Sequence, residues 1–120
     1  MKPVISIKRI YDPSATSDGY RVLVDRIWPR GISREEADLD EWEKEIAPST
    51  LLRKWFNHDP VRWEAFKKKY TEELNNNEDT DSFLDQCSKH KHITLLYGAK
   101  DEQHNQAVVL LEYINKKLKS

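Results

Sequence analysis

The sequence predicts an α/β fold in which three strands share one sheet and a C-terminal helix packs on it. Three apolar runs, at 4–10, 20–27 and 92–97, are rich in residues that favour strands. Between and after them, apolar residues recur at the spacing of amphipathic helices. A chain of 120 residues has single-domain size, so residues 1–120 are expected to form one domain with its own core.

Composition restricts the classes of function. Lys and Arg together number 20 and Asp and Glu 21, so the chain lacks the overall positive charge of a typical nucleic-acid-binding protein. The single cysteine excludes an internal disulfide and a site built from several thiolates. No apolar run approaches the ~20 residues of a membrane helix, and the N-terminus has no signal-peptide pattern. We expect a cytoplasmic protein with no membrane partner, metal or cofactor; the sequence does not specify an oligomeric state.

The first strand, at 4–10, leads into the loop Tyr11–Gly19. Asp12-Pro13 and Asp18-Gly19 are turn signals within this loop. The loop is too short for a helical crossover, which takes ~10–12 residues or more. The first two strands therefore either form a wide hairpin or lie parallel through a tight connection.

The stretch Val22–Gly31 begins as a buried strand and ends as a loop of functional residue types. Its first half is almost continuously apolar, as in a strand covered on both faces. Pro29 and Gly31 then end regular pairing. The loop places four side chains beside the core that are expensive to bury there: Asp25, Arg26, Trp28 and Arg30.

Capping signals locate two helices after this loop. Ser33-Arg34-Glu35-Glu36 is a capping box and predicts a helix at 33–46, which Pro48 ends. Its apolar stripe would be Leu39, Trp42 and Ile46. Ser49 can cap a short second helix, with apolar residues Leu51, Leu52, Trp55 and Phe56.

Asp59 and Pro60 predict the start of a longer helix at 60–75. Asp is a good N-cap, and Pro at the first helical position loses no hydrogen bond. Trp63 and Phe66 lie at core spacing on this helix, away from polar clusters, and are expected to be structural.

Two further helices are predicted in the last third of the chain. Thr80 or Asp81 can cap a short helix that buries Cys87 as an inert thiol. The last helix is predicted at 101–118, with Asp101 as its cap.

The strongest candidate site is the loop after the second strand. Ligands of α/β sheets bind at the carboxyl ends of strands, and the guanidinium groups of Arg26 and Arg30 can each hold a carboxylate or phosphate through two hydrogen bonds. Trp28 lies between them, and Gly31 allows a close backbone approach. The simpler alternative is that Asp25 and Arg26 pair with neighbours and that Trp28 belongs to the core.

A second candidate is the turn Tyr97–Asp101, where a strand meets the last helix. Unpaired N–H groups at a helix N-terminus attract anions, and Lys100 adds a positive charge. His104 and Asn105 are expected one turn inside that helix, facing the same cleft. One glycine and one lysine do not make a phosphate-binding P-loop, so a solvated helix start is the alternative.

Histidines supply weaker candidates. His58 could form an acid–base pair with Asp59, although Asp59 is more simply a helix cap and His58 an exposed loop residue. His90 and His92 have a spacing that could hold a metal on a strand, but no third ligand is evident and surface histidines are favoured.

Four parts of the chain carry a recognisable pattern: Leu23–Gly31, Ala47–Thr50, Leu52–Phe56 with His58-Asp59-Pro60, and Leu95–Asp101. Together they resemble the YeaO-like branch of the domain-of-unknown-function family 488 (DUF488). The resemblance covers nearly the whole chain, and it implies a small three-layer domain with a mainly parallel sheet. The biochemistry of the family is not established.

The chain departs from a pattern found in other branches of this family. Those branches resemble one another in a Cys and a Glu at the end of the last strand, followed by Cys-His-Arg in the next helix. Here Tyr97 and Ala99 stand near the first pair, and Asn105-Gln106-Ala107 near the second. The thiol or metal chemistry proposed for those branches is therefore not expected here. The arginines at 26 and 30 do match the branch.

We expect Arg26, Arg30 and Lys100 to converge at the carboxyl edge of the sheet, with Trp28 as one wall. The favoured function is a site for a phosphate, nucleotide or carboxylate, without assured catalysis. Nucleotides are candidates because Trp28 and Trp55 could stack a base.

Two other classes of function stay open at this point. One is an enzyme acting on a nucleotide or another phosphorylated molecule, for which the titratable candidates are Asp25, His58 and His104. The other is an interaction module for protein or nucleic acid, although the near-zero net charge gives nucleic acid no support.

Overall fold

The computed structural model describes residues 2–118, in which four parallel strands form one sheet. Across the sheet the order is β1-β4-β2-β3. The predicted α/β class with a mainly parallel sheet is confirmed, and the three predicted strands do share the sheet. In chain order the strands are β1 (Val4–Arg9), β2 (Tyr20–Leu23), β3 (Glu41–Trp42) and β4 (His92–Tyr97).

The connection between β1 and β2 is a parallel crossover rather than a hairpin. Both strands pair with β4, one on each side of it. The connecting residues contain only a short 3-10 turn, Thr16–Asp18. Gly19 ends this turn with a φ of +68°, and a Cβ there would lie 2.3 Å from the carbonyl oxygen of His92. Only glycine fits both the backbone and the space.

The sheet separates two apolar clusters, because successive strand residues point to opposite faces. Val22 and Leu95 belong to the larger cluster, which is completed by the four longer helices. Leu23 and Leu96 belong to the smaller cluster on the other face, where the loop after β2 and the first helix pack.

Five α-helices of the described part of the chain surround the sheet. Ser49 caps α2, its Oγ accepting a hydrogen bond from the Leu52 N–H at 3.1 Å, and Asp59 Oδ1 accepts one from the Val61 N–H at 3.0 Å. These caps confirm the predicted helix starts. Within residues 2–118, no helix has both the length and the apolar character needed to cross a membrane. The helices are α1 (Arg34–Ala37), α2 (Thr50–Phe56), α3 (Trp63–Asn76), α4 (Thr80–Cys87) and α5 (Gln106–Lys117), with a 3-10 turn at Pro60–Arg62 before α3.

The predicted helix at 33–46 is wrong beyond its first turn. Ser33 and Glu36 form the capping box, each side chain accepting from the other's backbone N–H at 3.0 Å. Asp38 then takes the left-handed conformation, with a φ of 50°, and α1 ends. Residues Glu41–Trp42 pair with β2 instead, so a non-local pairing overrides the local helical spacing.

Two predicted boundaries also shift. β2 ends at Leu23, so the chain leaves the sheet before residue 27. The last helix begins at Gln106, and Asn105 caps it through hydrogen bonds from the N–H groups of residues 107 and 108. Asp101 is not the helix cap, because its carboxylate instead accepts from the N–H groups of the preceding turn.

Candidate functional site

A cleft of ≈ 440 Å³ opens where β2 and β4 end. It lies at the carboxyl edge of the sheet, the edge at which α/β folds bind ligands. Both strand-end loops contribute to it, together with α2 and the turn before α5. Its ionisable side chains are Asp25, Arg26, Arg30, Arg53, His58 and His104, joined by the phenol of Tyr11.

Arg26 is fixed by backbone carbonyl groups. Its Nε donates to the Pro48 oxygen at 2.9 Å and its Nη2 to the Ala47 oxygen at 3.0 Å. The guanidinium therefore joins the loop after β2 to the segment that precedes α2. Both acceptors are neutral carbonyl groups, so these contacts do not offset the charge of the guanidinium.

The two other arginines of the cleft are exposed. Arg30 lies on the loop after β2, and Arg53 lies on α2. Within residues 2–118, no carboxylate lies within 4.0 Å of the guanidinium nitrogens of Arg26, Arg30 or Arg53, although five other pairs of a Lys or Arg with a carboxylate meet that distance. The simpler alternative, in which Asp25 and Arg26 pair with neighbours and Trp28 belongs to the core, is what the structure shows for these three residues, although the partners of Arg26 are carbonyl groups rather than carboxylates.

Asp25 is the one acidic side chain among the described lining residues. Its Oδ2 accepts from the Gly98 N–H at 2.9 Å, and its Oδ1 accepts from the Gln106 side-chain amide. Burial raises the pKa of Asp25 to about 6, because the charged form loses solvation; the two hydrogen bonds and the nearby charge of Arg53 oppose this only in part.

Tyr11 and Arg9 contact two of the loops around the cleft. Its hydroxyl donates to the Arg30 carbonyl oxygen at 2.6 Å. The guanidinium of Arg9 lies 4.9 Å from the centre of the Tyr11 ring and donates from Nε to the Ala99 oxygen at 2.9 Å. The loops that follow β1, β2 and β4 are thereby linked.

Both predicted histidines line the cleft. His104 Nδ1 lies 2.9 Å from Asp101 Oδ2, and Trp63 packs on the His104 ring edge-to-face at 5.2 Å between centroids. Trp63 was expected to lie away from polar clusters. Its contact with His104 shows that it lies beside one. His58 follows Asn57, and both take positive φ angles, 54° and 46°; this left-handed turn is what brings His58 to the cleft after α2 ends.

Three predicted site residues lie outside the cleft. Trp28 packs in the smaller apolar cluster, edge-on to Trp42 at 5.3 Å, and its Nε1 donates to the Ile32 oxygen at 2.8 Å. Trp55 lies beside a separate groove and is flanked by the cationic groups of Arg62 and Lys69. Lys100 is exposed and does not line the cleft. Tryptophan walls and a converging Lys100 are thus not observed.

The first N–H groups of the nearby helices find acceptors within the chain. The predicted caps Ser33 and Ser49 accept from them at α1 and α2, and at α5 the acceptor is Asn105 rather than the predicted Asp101. The N–H groups that these caps engage are not open to an anion. The positive character of the cleft therefore comes from side chains.

Arg53 and Gln106 line the cleft without having been predicted there. Arg53 lies three residues before Phe56 on α2, so both side chains fall on one helix face. That spacing was the available signal. Gln106 is placed by the late start of α5, which the sequence did not reveal.

Cys87, His90 and His92 have structural surroundings away from the cleft. Cys87 is buried, and burial raises the pKa of its thiol to about 12. His90 stacks on Tyr20 with ring centroids 3.8 Å apart, and His92 Nε2 lies 2.9 Å from Ser6 Oγ.

Comparison with known proteins places the chain among uncharacterised relatives. The family model described as "Inactive DUF488-N3 subclade" matches residues 4–120. The uncharacterized protein YeaO of Escherichia coli (strain K12) is 47% identical over 110 residues, covering 92% of this chain and 96% of YeaO. Uncharacterized proteins Mb3100c of Mycobacterium bovis and Rv3073c of Mycobacterium tuberculosis are each 44% identical over 70 residues, 58% of this chain and 59% of theirs. No solved structure matches.

Proposed function

Since the chain belongs to the inactive DUF488-N3 subclade, we propose that its cleft binds a small anionic molecule without transforming it. The anionic group is a phosphate or a carboxylate. One observation carries this proposal: three arginines line one cleft, and within residues 2–118 none of them has a carboxylate partner at ion-pair distance.

The electrostatics of the cleft favour an anion. Three guanidinium groups around ≈ 440 Å³ repel one another, and Asp25, the one acid among the described lining residues, carries too little charge to offset all three. A bound phosphate or carboxylate would offset this repulsion and accept paired hydrogen bonds from planar guanidinium groups. Arg26 is held in place by two carbonyl groups, so little side-chain entropy is lost when it contacts a ligand.

Titration calorimetry at low salt tests the proposal. Inorganic phosphate, pyrophosphate, adenosine monophosphate and a short single-stranded oligonucleotide are titrated into the wild type, Arg30→Ala and Lys68→Ala. Lys68 is exposed on α3, away from the cleft, so its variant controls for net charge.

We expect at least one of these anions to bind and to lose affinity as salt rises. Arg30→Ala should weaken binding roughly tenfold or more, the effect of losing a charge-assisted hydrogen bond. Its melting temperature should change little, because the side chain is exposed. Absence of binding by every anion, or equal affinities in Arg30→Ala and Lys68→Ala, would refute the proposal.

One observation favours a second candidate, an enzyme acting on a phosphorylated small molecule. Asp101 lies 2.9 Å from His104 Nδ1 at the cleft, an arrangement that orients an imidazole for proton transfer. Release of phosphate from adenosine monophosphate that is lost in His104→Ala, but kept in His90→Ala, would favour the enzyme. Binding by the wild type with no turnover favours the binding protein.

A further inference from the structure

We propose that the ligand of this cleft is a phosphorylated polyol, whose phosphate meets the arginines and whose hydroxyl groups donate to the Asp25 carboxylate. This inference rests on the proposed anion-binding function and adds the class of ligand. A sugar phosphate and a nucleotide share this chemistry, since both carry hydroxyl groups beside a phosphate.

Neighbouring groups hold the Asp25 carboxylate in one position at the cleft. Asp25 follows β2, and its carboxylate lines the cleft between the strand ends. The Gly98 N–H and the Gln106 amide hold one carboxylate oxygen each, and the Trp42 indole donates to the Asp25 carbonyl oxygen at 2.7 Å. A Cβ at position 98 would lie 2.9 Å from Asp25 Oδ2, so the carboxylate is closely confined. Its geometry is fixed before any ligand arrives.

The Asp25 carboxylate has acceptor positions that the described residues do not fill. Each carboxylate oxygen can accept two hydrogen bonds. Within residues 2–118, each oxygen of Asp25 accepts one. One acceptor position per oxygen therefore remains, on two adjacent oxygens. Neighbouring hydroxyl groups of a polyol can fill both positions at once.

The charged groups around Asp25 also restrict the ligand. The other ionisable groups that line the cleft are Arg26, Arg30, Arg53, His58 and His104, besides the phenol of Tyr11. A ligand that is anionic throughout would meet Asp25 as a like charge. A ligand with an anionic end and O–H donors satisfies the arginines and the carboxylate together. The asymmetry of the cleft therefore selects a ligand with two chemically different ends.

The size of the cleft agrees with this class. A volume of ≈ 440 Å³ falls within the ~300–1,000 Å³ typical of small-molecule pockets. Inorganic phosphate alone would occupy only a small part of it. Asp25 and the arginines line this one cleft, so we expect a phosphorylated sugar that fills it to contact both.

Calorimetry at pH 8, where Asp25 is ionised, tests the inference. The probes are inorganic phosphate, ribose 5-phosphate, 2-deoxyribose 5-phosphate and adenosine monophosphate. The proteins are the wild type, Asp25→Asn and the control Glu64→Gln, which removes an exposed acid on α3 that does not line the cleft. Thermal melts check that each variant is folded.

We expect the wild type to bind ribose 5-phosphate about tenfold or more tightly than phosphate, as hydrogen bonds to a charged group allow. Asp25→Asn should bring the affinity for ribose 5-phosphate close to that for phosphate, while its phosphate affinity stays equal to that of the wild type or rises. Glu64→Gln should keep the wild-type ratio of the two affinities. Tighter binding of either ribose 5-phosphate or adenosine monophosphate than of inorganic phosphate supports the inference. The tighter of the two identifies the source of the hydroxyl groups.

The wild type alone can overturn the inference, so it does not depend on Asp25→Asn folding. Equal affinities for phosphate, ribose 5-phosphate and adenosine monophosphate would show that hydroxyl groups are not recognised, while the anion site would stand. An undiminished ratio in a folded Asp25→Asn would equally exclude Asp25 as the acceptor. If none of the four probes binds, the proposed anion site fails as well.

Discussion

The carboxylate of Asp25 accepts a 2.9 Å hydrogen bond from the N–H of Gly98, across the ends of β2 and β4. This contact joins the two loops that form the floor of the cleft. It depends on the absence of a side chain at position 98, where the backbone has no positive φ that would itself require glycine. Space, rather than backbone conformation, explains the glycine.

Gly98→Ala should therefore destabilise the fold by contact alone. Its Cβ would lie 2.9 Å from Asp25 Oδ2 and 3.3 Å from the Pro29 Cβ. We expect a loss of about 1–3 kcal/mol of unfolding free energy, typical of overpacking, measured by urea denaturation. In an Asp25→Ala background the loss should shrink, because one of the two neighbours is gone. An equal loss in both backgrounds would show that the contact with Asp25 is not the cause.

Asp25 should also make stability depend on pH. Its pKa is raised from 3.8 to about 6 in the folded protein, so between these values the folded state holds a proton that the unfolded state has lost. Stability from this group therefore falls as pH rises from about 4 to 6, by up to about 3 kcal/mol.

Asp25→Asn removes this titration. The difference in unfolding free energy between Asp25→Asn and the wild type should change in favour of the variant as pH rises from 4 to 7. Urea denaturation at several pH values measures it, and other carboxylates cancel in the difference. A difference that stays constant over this range would contradict the raised pKa.

The sequence predicts most of the fold because its strong signals are local. The apolar runs that become β1 and β4 and the caps Ser49 and Asp59 lie where expected, and β2 begins where expected but ends at Leu23. The prediction of one helix at 33–46 is wrong for a physical reason. Leu39, Trp42 and Ile46 have helical spacing, but the two-residue strand β3 forms through pairing with β2, which no local pattern reveals.

The site is only partly predictable for a similar reason. Arg26 and Arg30 are predictable as cleft residues because both lie near the end of an apolar strand, and a strand end fixes the edge of the sheet. Trp28 was misplaced, because an aromatic residue after a strand can face either the cleft or the core. Arg53 reaches the cleft through the packing of α2, so its role depends on tertiary structure.

Trp63 and Phe66 should differ in their contribution to stability. Phe66 is buried, and its replacement by Ala should cost about 3–5 kcal/mol. Trp63 is only half-buried, with one edge toward His104, so Trp63→Ala should cost less, about 2–3 kcal/mol. Urea denaturation of both variants gives the comparison. A larger loss for Trp63→Ala would mean that the exposed part of its ring is covered in solution.

Cys87 should be unreactive in the native protein. Its thiol is buried and its pKa is raised to about 12, so almost no thiolate exists at neutral pH. A chromogenic disulfide reagent at pH 7 should label Cys87 only as fast as the protein unfolds, and at once in urea. Rapid stoichiometric labelling without denaturant would contradict the buried placement.

Substitutions of Arg26 and Arg30 should differ in their effects on stability and on anion binding. Arg26 donates to the carbonyl groups of Ala47 and Pro48, whereas the side chain of Arg30 is exposed. Arg26→Ala should therefore lower both the unfolding free energy, by about 1–3 kcal/mol for two buried acceptors left unpaired, and the affinity for anions. Arg30→Ala should lower only the affinity.

Arg26→Lys sharpens this comparison. Lysine keeps the charge but cannot span two carbonyl groups as the planar guanidinium does. We expect it to retain part of the anion affinity at low salt while losing much of the stability that Arg26 provides. Thermal melts and phosphate titrations of the three variants measure both quantities. If Arg26→Lys is as stable as the wild type, the two carbonyl contacts contribute little, and Arg26 acts in the cleft through its charge alone.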